Sequence, residues 1–316
     1  MKAAVINSYG PPEVLKIQQV PRPTISKRQI LVKIEATSVT SADSRIRGAR
    51  FPRGFGFIAR LAFGINKPRT KILGSTYSGV IHELGDDVSN FKLGDEVCGM
   101  SGIKMGSYAE YIKVDGFKSI AIKPKNISHT DAAGILFGGT AALFFLRDKL
   151  KIQQNDEVLI NGASGAVGCS AVQLARYYGA KVTAVTSSLN ADLAKQLGAE
   201  QIIDFTKVNL DNLARKFDLV LDTVGNISPE LAKKLLNKNG RAGLMVASLG
   251  EILKAHGPVK TGTATETKKD IEFLLDLMVQ GELEAVINKI YKFDDIVKAH
   301  NYVDSGVKVG NVILRF

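Results

Sequence analysis

The chain has 316 residues, 45% of them hydrophobic and 23% charged, with 42 lysines and arginines against 31 aspartates and glutamates. That length favours two domains over one, the composition excludes a disordered or fibrous protein, and no uninterrupted apolar run approaches the ~20 residues of a bilayer span. The two cysteines, Cys98 and Cys169, exclude a disulfide framework and a four-cysteine zinc site, and a reducing, cytoplasmic setting fits them. A net charge of +11 favours anionic ligands or surfaces without specifying a fold.

Residues 1 to about 125 read mostly as strand. Segments 2–7, 14–20 and 30–38 alternate or run apolar between prolines, and further strands are expected at 79–84, 96–100 and 108–114. The first segment lacks the long apolar stretch of a secretory signal. Short strands punctuated by Gly74, Gly79, Gly85 and Gly94 predict a compact, barrel-like β domain. The period then changes. Ser128 is an N-cap candidate with Asp131 three residues on, and a helix is predicted over 132–150, with Gly138 and Gly139 as a point where it could break. Strands at 157–161, 181–186, 200–203, 218–222 and 241–247 then alternate with helices at 166–178, 189–197, 208–215 and 228–236. Such alternation predicts a doubly wound parallel sheet. After Gly262 come a helix at 265–280, a strand at 284–290, a helix at 294–302 and a strand at 307–314. This tail has no sheet of its own, so it is expected to return to the N-terminal domain. The domains are therefore placed at 1–125, 126–262 and 263–316.

One stretch carries most of the functional signal. Val158, Leu159 and Ile160 form a buried-strand run, Gly162, Gly165 and Gly168 follow at G-x-x-G-x-x-G spacing, and Val167, Val172, Leu174 and Ala175 give a helical apolar stripe. A strand, a glycine turn and a helix start make an anion site, because glycine admits close approach and the helix end offers unpaired N–H groups. In a βαβ context this predicts a dinucleotide's diphosphate at 162–168, including Ala163, Ser164, Ala166 and Val167. An NAD site would usually place an acid at the end of the next strand. Here stand Thr186, Ser187 and Ser188, which leave room for a 2′-phosphate, so NADPH is favoured and NADH kept as the alternative.

The sequence resembles the medium-chain dehydrogenase/reductase superfamily, in its zinc-independent quinone oxidoreductase branch, over nearly its whole length. The markers are GPPEVL (10–15), ILVKIEATSVTSAD (30–43), GSTYSGVIHELGDDVSNFKLGDEV (74–97), GSYAEY (106–111), DAAGILFGGTAA (131–142), the glycine loop, LGAEQIID (197–204), FDLVLDTVG (217–225) and GVKVGNVIL (306–314). The resemblance implies an α/β protein: a Rossmann doubly wound sheet plus a discontinuous, mostly-β GroES-like catalytic domain, with the active site in the cleft and a homodimer as the usual assembly. It also implies coenzyme contacts from Thr140, Thr223, Val224, Gly225, Val246, Ala247, Ser248 and Asn311. Family members that bind NADPH often add a Lys and a Tyr, where this chain has Asn190 and Phe205; Lys195 or Arg176 could compensate.

Zinc-dependent relatives carry a Cys in the segment matching 39–43 and Gly-His-Glu where this chain has Gly74-Ser75-Thr76, so no metal is expected. His82-Glu83 falls in the following strand, where alternation sends the two side chains to opposite faces. Without metal, the protein contributes placement and hydrogen bonds to hydride transfer. A quinone or an enone suits that arrangement, because charge develops on a carbonyl oxygen that needs only a donor. Candidate donors and positioners are Thr40, Asp43, Arg45, Tyr77 and Thr140. Thr40 stands where these enzymes commonly carry Asn, and Thr76 where they often carry Asp.

The segment 45–69 interleaves Arg45, Arg47, Arg50, Arg53, Arg60, Lys67 and Arg69 with Phe51, Phe55, Phe57 and Phe63, and no acid occurs between Ser44 and His82. Three readings compete, in decreasing order: a flap over the cleft, a peripheral contact with an anionic membrane, and nucleic-acid binding. Rival functions are a saturated alcohol or aldehyde oxidoreductase, and a non-catalytic nucleotide-sensing or RNA-binding protein.

Overall fold

The computed structural model describes residues 1–316. Contacts divide the chain into a β-rich unit of residues 1–51, 56–137 and 266–316, and a second unit of residues 52–55 and 138–265. In the β-rich unit, β1 (Lys2–Val5) and β2 (Lys16–Gln19) form an antiparallel hairpin. The ten-residue β3 (Gln29–Ser38) is mostly buried. Two helices that the sequence did not announce follow: α1 (Ser41–Arg47) and α2 (Gly56–Phe63). Then come β4 (Thr76–Leu84), β5 (Glu96–Met100), β6 (Tyr111–Asp115) and the short β7 (Ile120–Ile122), which also escaped the reading. Helix α3 (His129–Leu143) starts where Ser128 accepts the Asp131 N–H at 3.1 Å.

Helix α3 corrects two expectations. Gly138-Gly139 does not break it; irregularity arises later, in a π-turn over Phe144–Lys149. At Gly138 a Cβ would stand 2.3 Å from the Ala166 carbonyl oxygen, so the glycine serves a close approach and not a kink. The stretch His129–Lys149 is also one helix long and apolar enough to cross a bilayer, with 72% of its most apolar window buried within the protein. Counting uninterrupted apolar residues missed it, because glycines and Thr140 interrupt the run without lowering its mean hydropathy enough.

The second unit alternates as expected. It runs β8 (Glu157–Asn161), α4 (Ala166–Tyr177), β9 (Lys181–Thr186), α5 (Ala191–Gln196), β10 (Gln201–Asp204), β11 (Phe217–Asp222), α6 (Pro229–Leu235), β12 (Leu236–Leu244), α7 (Leu249–Lys254) and β13 (Val259–Thr261). The six strands are parallel in the order β10-β9-β8-β11-β12-β13, a doubly wound sheet whose order reverses beside β8. Val158, Leu159 and Ile160 are fully buried, as a central parallel strand requires. The helix expected at 208–215 is only a 3-10 turn at Leu210–Asn212, because Leu210 and Leu213 already reach the core from a single turn.

The tail supplies α8 (Lys268–Val279), β14 (Ile287–Lys292), α9 (Ile296–Asp304) and β15 (Asn311–Arg315). Strand β15 pairs antiparallel with β3, setting Ile313 opposite Ser38, so the two chain ends share one sheet in the order β14-β15-β3-β4-β5-β7. A fold class of Rossmann sheet plus GroES-like β unit follows.

Candidate functional site

The candidate coenzyme site lies at the carboxyl ends of β8, β9 and β11. Gly162 turns the chain with φ +80°, and a Cβ on Gly168 would stand 2.0 Å from the Gly162 carbonyl oxygen. Helix α4 starts at Gly165 with no side-chain cap and no acid in its first turn. By contrast, side-chain oxygens of Thr40, Ser228, Ser248 and Thr267 cap α1, α6, α7 and α8. The free N–H groups of Ala166, Val167 and Gly168 are therefore left for an anion. Gly165 itself, at φ −77°, has no heavy atom closer than 3.5 Å to a would-be Cβ. Backbone strain does not explain that glycine.

Around the loop, Ser164 accepts from Thr186 at 3.0 Å and from Asn190 at 3.3 Å, and Asn190 also reaches Ser187 at 3.3 Å. The Ser188 hydroxyl bonds Asp204, an acid the reading of this region did not weigh. Hydrogen bonds from Ser188 and then Thr206 hold the Asp204 carboxyl down at about 2. Lys207 stands 3.7 Å away and offsets its charge. Phe205 is exposed. Arg176 lies at the far end of α4, roughly 15 Å along the helix from the loop, with its side chain against Gly198. It is thus removed from the glycine loop.

Sequence reasoning missed the residues that shape the facing loop. Fully buried Asp222 accepts the N–H groups of Val224, Gly225 and Ile227 at 3.0–3.1 Å. Thr223 donates to the Asn161 carbonyl at 2.8 Å, locking the β11 loop onto β8. The signal was present as an acid closing the buried run FDLVLD. Val246 packs against Gly225, and Met245 donates to the Asp222 carbonyl at 3.0 Å, so the strand end 245–247 borders the same loop. Ser248 is occupied in a capping box with Glu251. Thr140, 4% exposed, lies on the α3 segment that Gly138 holds against the start of α4.

In the β-rich unit, Thr40 and Asp43 come together but serve each other. Thr40 donates to the Asp43 carboxylate at 2.6 Å and accepts its N–H at 3.1 Å, a capping box for α1. Burial raises the pKa of Asp43. Tyr77 is wholly buried, its hydroxyl has no partner, and burial keeps it protonated far past the usual phenol range. Arg45 is partly buried, and desolvation followed by neighbouring Arg50 lowers its pKa. Thr76 belongs to a buried hydroxyl cluster with Thr37, Ser38 and Ser107, not to a carboxylate site. Asn311 donates to the Val286 carbonyl at 3.1 Å and opens β15. Helix α1 is fastened from behind by Arg47, 1% exposed, which pairs with Asp304 and donates to His300 Nδ1 at 2.9 Å.

Two family models match: "Alcohol dehydrogenase GroES-like domain" over residues 26–125 and "Zinc-binding dehydrogenase" over 197–314. Among curated relatives, a 2-methylene-furan-3-one reductase of Solanum lycopersicum is 31% identical, covering 100% of this chain and 79% of its own. A chloroplastic NADPH-dependent alkenal/one oxidoreductase of Arabidopsis thaliana is 29% identical over 99% of this chain and 79% of its own. A solved quinone oxidoreductase from Coxiella burnetii superposes with TM-score 0.90 at 29% identity, covering 100% and 99% of the two chains. The chain belongs to the medium-chain dehydrogenase/reductase superfamily, in its quinone oxidoreductase-like branch, and is an oxidoreductase.

The second model's description implies zinc. The donor set does not fit it: no three His, Cys, Asp or Glu side chains converge. Cys98 and Cys169 are both buried, and burial pushes the Cys98 thiol up to about 12. His82 is exposed beside Arg22, 3.0 Å from its guanidinium. These residues give zinc no seat.

Proposed function

We propose that this protein is an NADPH-dependent, zinc-independent reductase of quinones or α,β-unsaturated carbonyls. The observation that carries the reading is the uncapped start of α4, set on a glycine turn whose Gly165 has no heavy atom nearer than 3.5 Å to a would-be Cβ. The acceptor class is supported by relatives named as an alkenal/one oxidoreductase and a quinone oxidoreductase. When bound, NADPH would supply a hydride to the acceptor's electrophilic carbon, negative charge would develop on its carbonyl oxygen, and a proton from solvent would complete the reduction.

The chain's residues divide the remaining work. The loop 162–168 holds the diphosphate, with the N–H groups of Ala166, Val167 and Gly168 as donors. Thr186, Ser187, Ser188 and Asn190 face the ribose end without a carboxylate of their own, while Lys207 offsets Asp204. The loop 223–225, fixed by Asp222, and the strand end 245–247 border the nicotinamide half. Thr140 stands on the coenzyme unit as its positioning hydroxyl, and on the β-rich unit Arg45 and Tyr77 are the donors suited to a developing oxyanion. The two free thiols fit a reducing compartment, for which the cytoplasm is proposed. A homodimer and a peripheral contact with an anionic membrane complete the reading.

The test is NADPH oxidation with a panel of quinones and enones, together with coenzyme titration by fluorescence. Turnover with at least one acceptor is expected. Tight NADPH binding with no turnover would point to a nucleotide sensor, and no binding would remove the functional case altogether.

A further inference from the structure

Helix α2 has no buried residue, although it is among the most apolar stretches of the chain. Phe57 is 75% exposed, Ile58 53%, Leu61 44% and, just beyond the helix, Ile65 52%. At 100° per residue, Phe57, Leu61, Ile58 and Ala62 fall within an arc of about 140°, and the opposite face carries Ala59 and Phe63. That inner face is anchored. Phe63 stacks on Phe51 at 5.9 Å and packs against the β-unit core, while Tyr9 donates to the Gly64 carbonyl at 2.8 Å. The exposed arc is therefore presented by a fixed helix, and single exposed side chains on an ordinary surface do not cluster this way.

The surroundings are predominantly cationic. Arg50, Arg53, Arg60, Lys67, Arg69 and Lys71 are near neighbours in sequence, and all are exposed. No acid occurs between residues 44 and 82; Asp304 pairs with Arg50 at 2.9 Å, and the other five stand in no ion pair. A second protein with an apolar groove would satisfy the arc alone. An apolar arc flanked by five cations that no carboxylate pairs is matched in both respects by an anionic lipid surface: side chains enter the acyl boundary and guanidinium groups meet phosphates. Two of the four phenylalanines of this segment, Phe51 and Phe63, are spent on each other, which weakens the aromatic-flap reading in which they would face a quinone.

We propose that α2 is an interfacial membrane-docking helix, inserting Phe57, Ile58 and Leu61 into the surface of an anionic bilayer with Arg53, Arg60 and Lys67 at headgroup level. This rests on the peripheral-membrane part of the function proposed above and names its surface. A lipid-dissolved quinone or enal would then be met where it resides.

The experiment uses the full chain and flotation with vesicles of phosphatidylcholine alone or with about one-third phosphatidylserine. Co-flotation with the anionic vesicles only, falling as salt rises, is expected. The variant F57S/I58S/L61S should lower partitioning at least about tenfold, and R53E/K67E should do the same. Both should leave NADPH-dependent reduction of a water-soluble enone unchanged. Wild-type protein that stays with the soluble fraction overturns the proposal, as does a triple variant that floats as well as wild type. Retention by RNA but not by vesicles overturns it in favour of a nucleic-acid surface. A triple variant that loses soluble-enone turnover while vesicle binding is unchanged overturns it in favour of a flap. Enone turnover without vesicle binding rejects the docking helix and leaves the reductase standing; the reverse result rejects the reductase alone.

Discussion

Asn161 donates its side-chain amide to Asp222 at 2.8 Å, joining the ends of β8 and β11 at the point where the glycine loop begins. Both residues are buried, and Asp222 also collects the N–H groups of Val224, Gly225 and Ile227. One carboxylate thus replaces the ladder partners that these N–H groups lose when the strand ends. Asp222→Ala would leave them unpaired. Unfolding by denaturant should report a loss of roughly 2–4 kcal/mol, and NADPH affinity should fall with it. Asp222→Asn, which keeps one acceptor oxygen, should lose less of both.

Two glycines in the same loop should respond oppositely. A Cβ on Gly168 meets the Gly162 carbonyl at 2.0 Å and the Ala163 Cα at 2.7 Å, so Gly168→Ala forces the strand and helix apart. Its cost in stability should be about 1–3 kcal/mol or more. A Cβ on Gly165 meets nothing nearer than 3.5 Å, and its φ suits alanine. Gly165→Ala should therefore keep stability within about 0.5 kcal/mol of wild type. Its NADPH affinity should nevertheless drop at least about tenfold, because the methyl occupies the approach to the diphosphate. Equal loss of stability in the two variants would contradict the cradle.

The contrast shows what the residues disclosed unaided. Strand, glycine turn and helix at 157–178 were legible because a buried parallel strand and an amphipathic helix each carry a local pattern. So was the return of the tail, since 307–314 had nowhere else to pair. Less was legible where partners are distant in sequence. Asp222 looked like the end of a strand, Arg47 like one more surface cation, and Thr40 and Asp43 like catalytic candidates and not a capping box. Their roles depend on contacts with Asn161, His300 and each other that spacing does not reveal. Helix α2 was hidden because its apolar residues have no core to match them.

Coenzyme choice should turn on Asp204. Its carboxylate, bonded to Ser188 and 3.7 Å from Lys207, is the negative charge nearest the neutral strand end Thr186–Ser188. Asp204→Asn removes that charge and frees Lys207 to meet a 2′-phosphate. KM for NADPH should fall several-fold, on the order expected for one charge contact at a partly exposed site, with KM for NADH little changed. Ser187→Asp should do the reverse, raising KM for NADPH far more than for NADH. Parallel shifts for both coenzymes would place the 2′-phosphate elsewhere.

Acid sensitivity should centre on His300. The ring is fully buried in the β-rich unit, with Nδ1 accepting from Arg47, Asp304 on the far side of that guanidinium, and Tyr108 edge-on at 5.5 Å. Burial, then the Arg47 charge, pushes its pKa down to about 3 from 6.5. A base whose folded pKa is depressed binds its proton more readily when unfolded. Stability is therefore fully present above about pH 6.5 and declines as pH falls toward 3, by on the order of a few kcal/mol. Asp304, held low by Ser44 and Arg47 against the effect of its own burial, adds a further loss only below its ordinary carboxylate range. Thermal unfolding between pH 7.5 and pH 4.5 should show Tm falling through this window. In His300→Phe, Tm should start lower at pH 7.5, because Arg47 loses its acceptor, and should fall less steeply. A variant profile parallel to wild type would assign the acid sensitivity to another group.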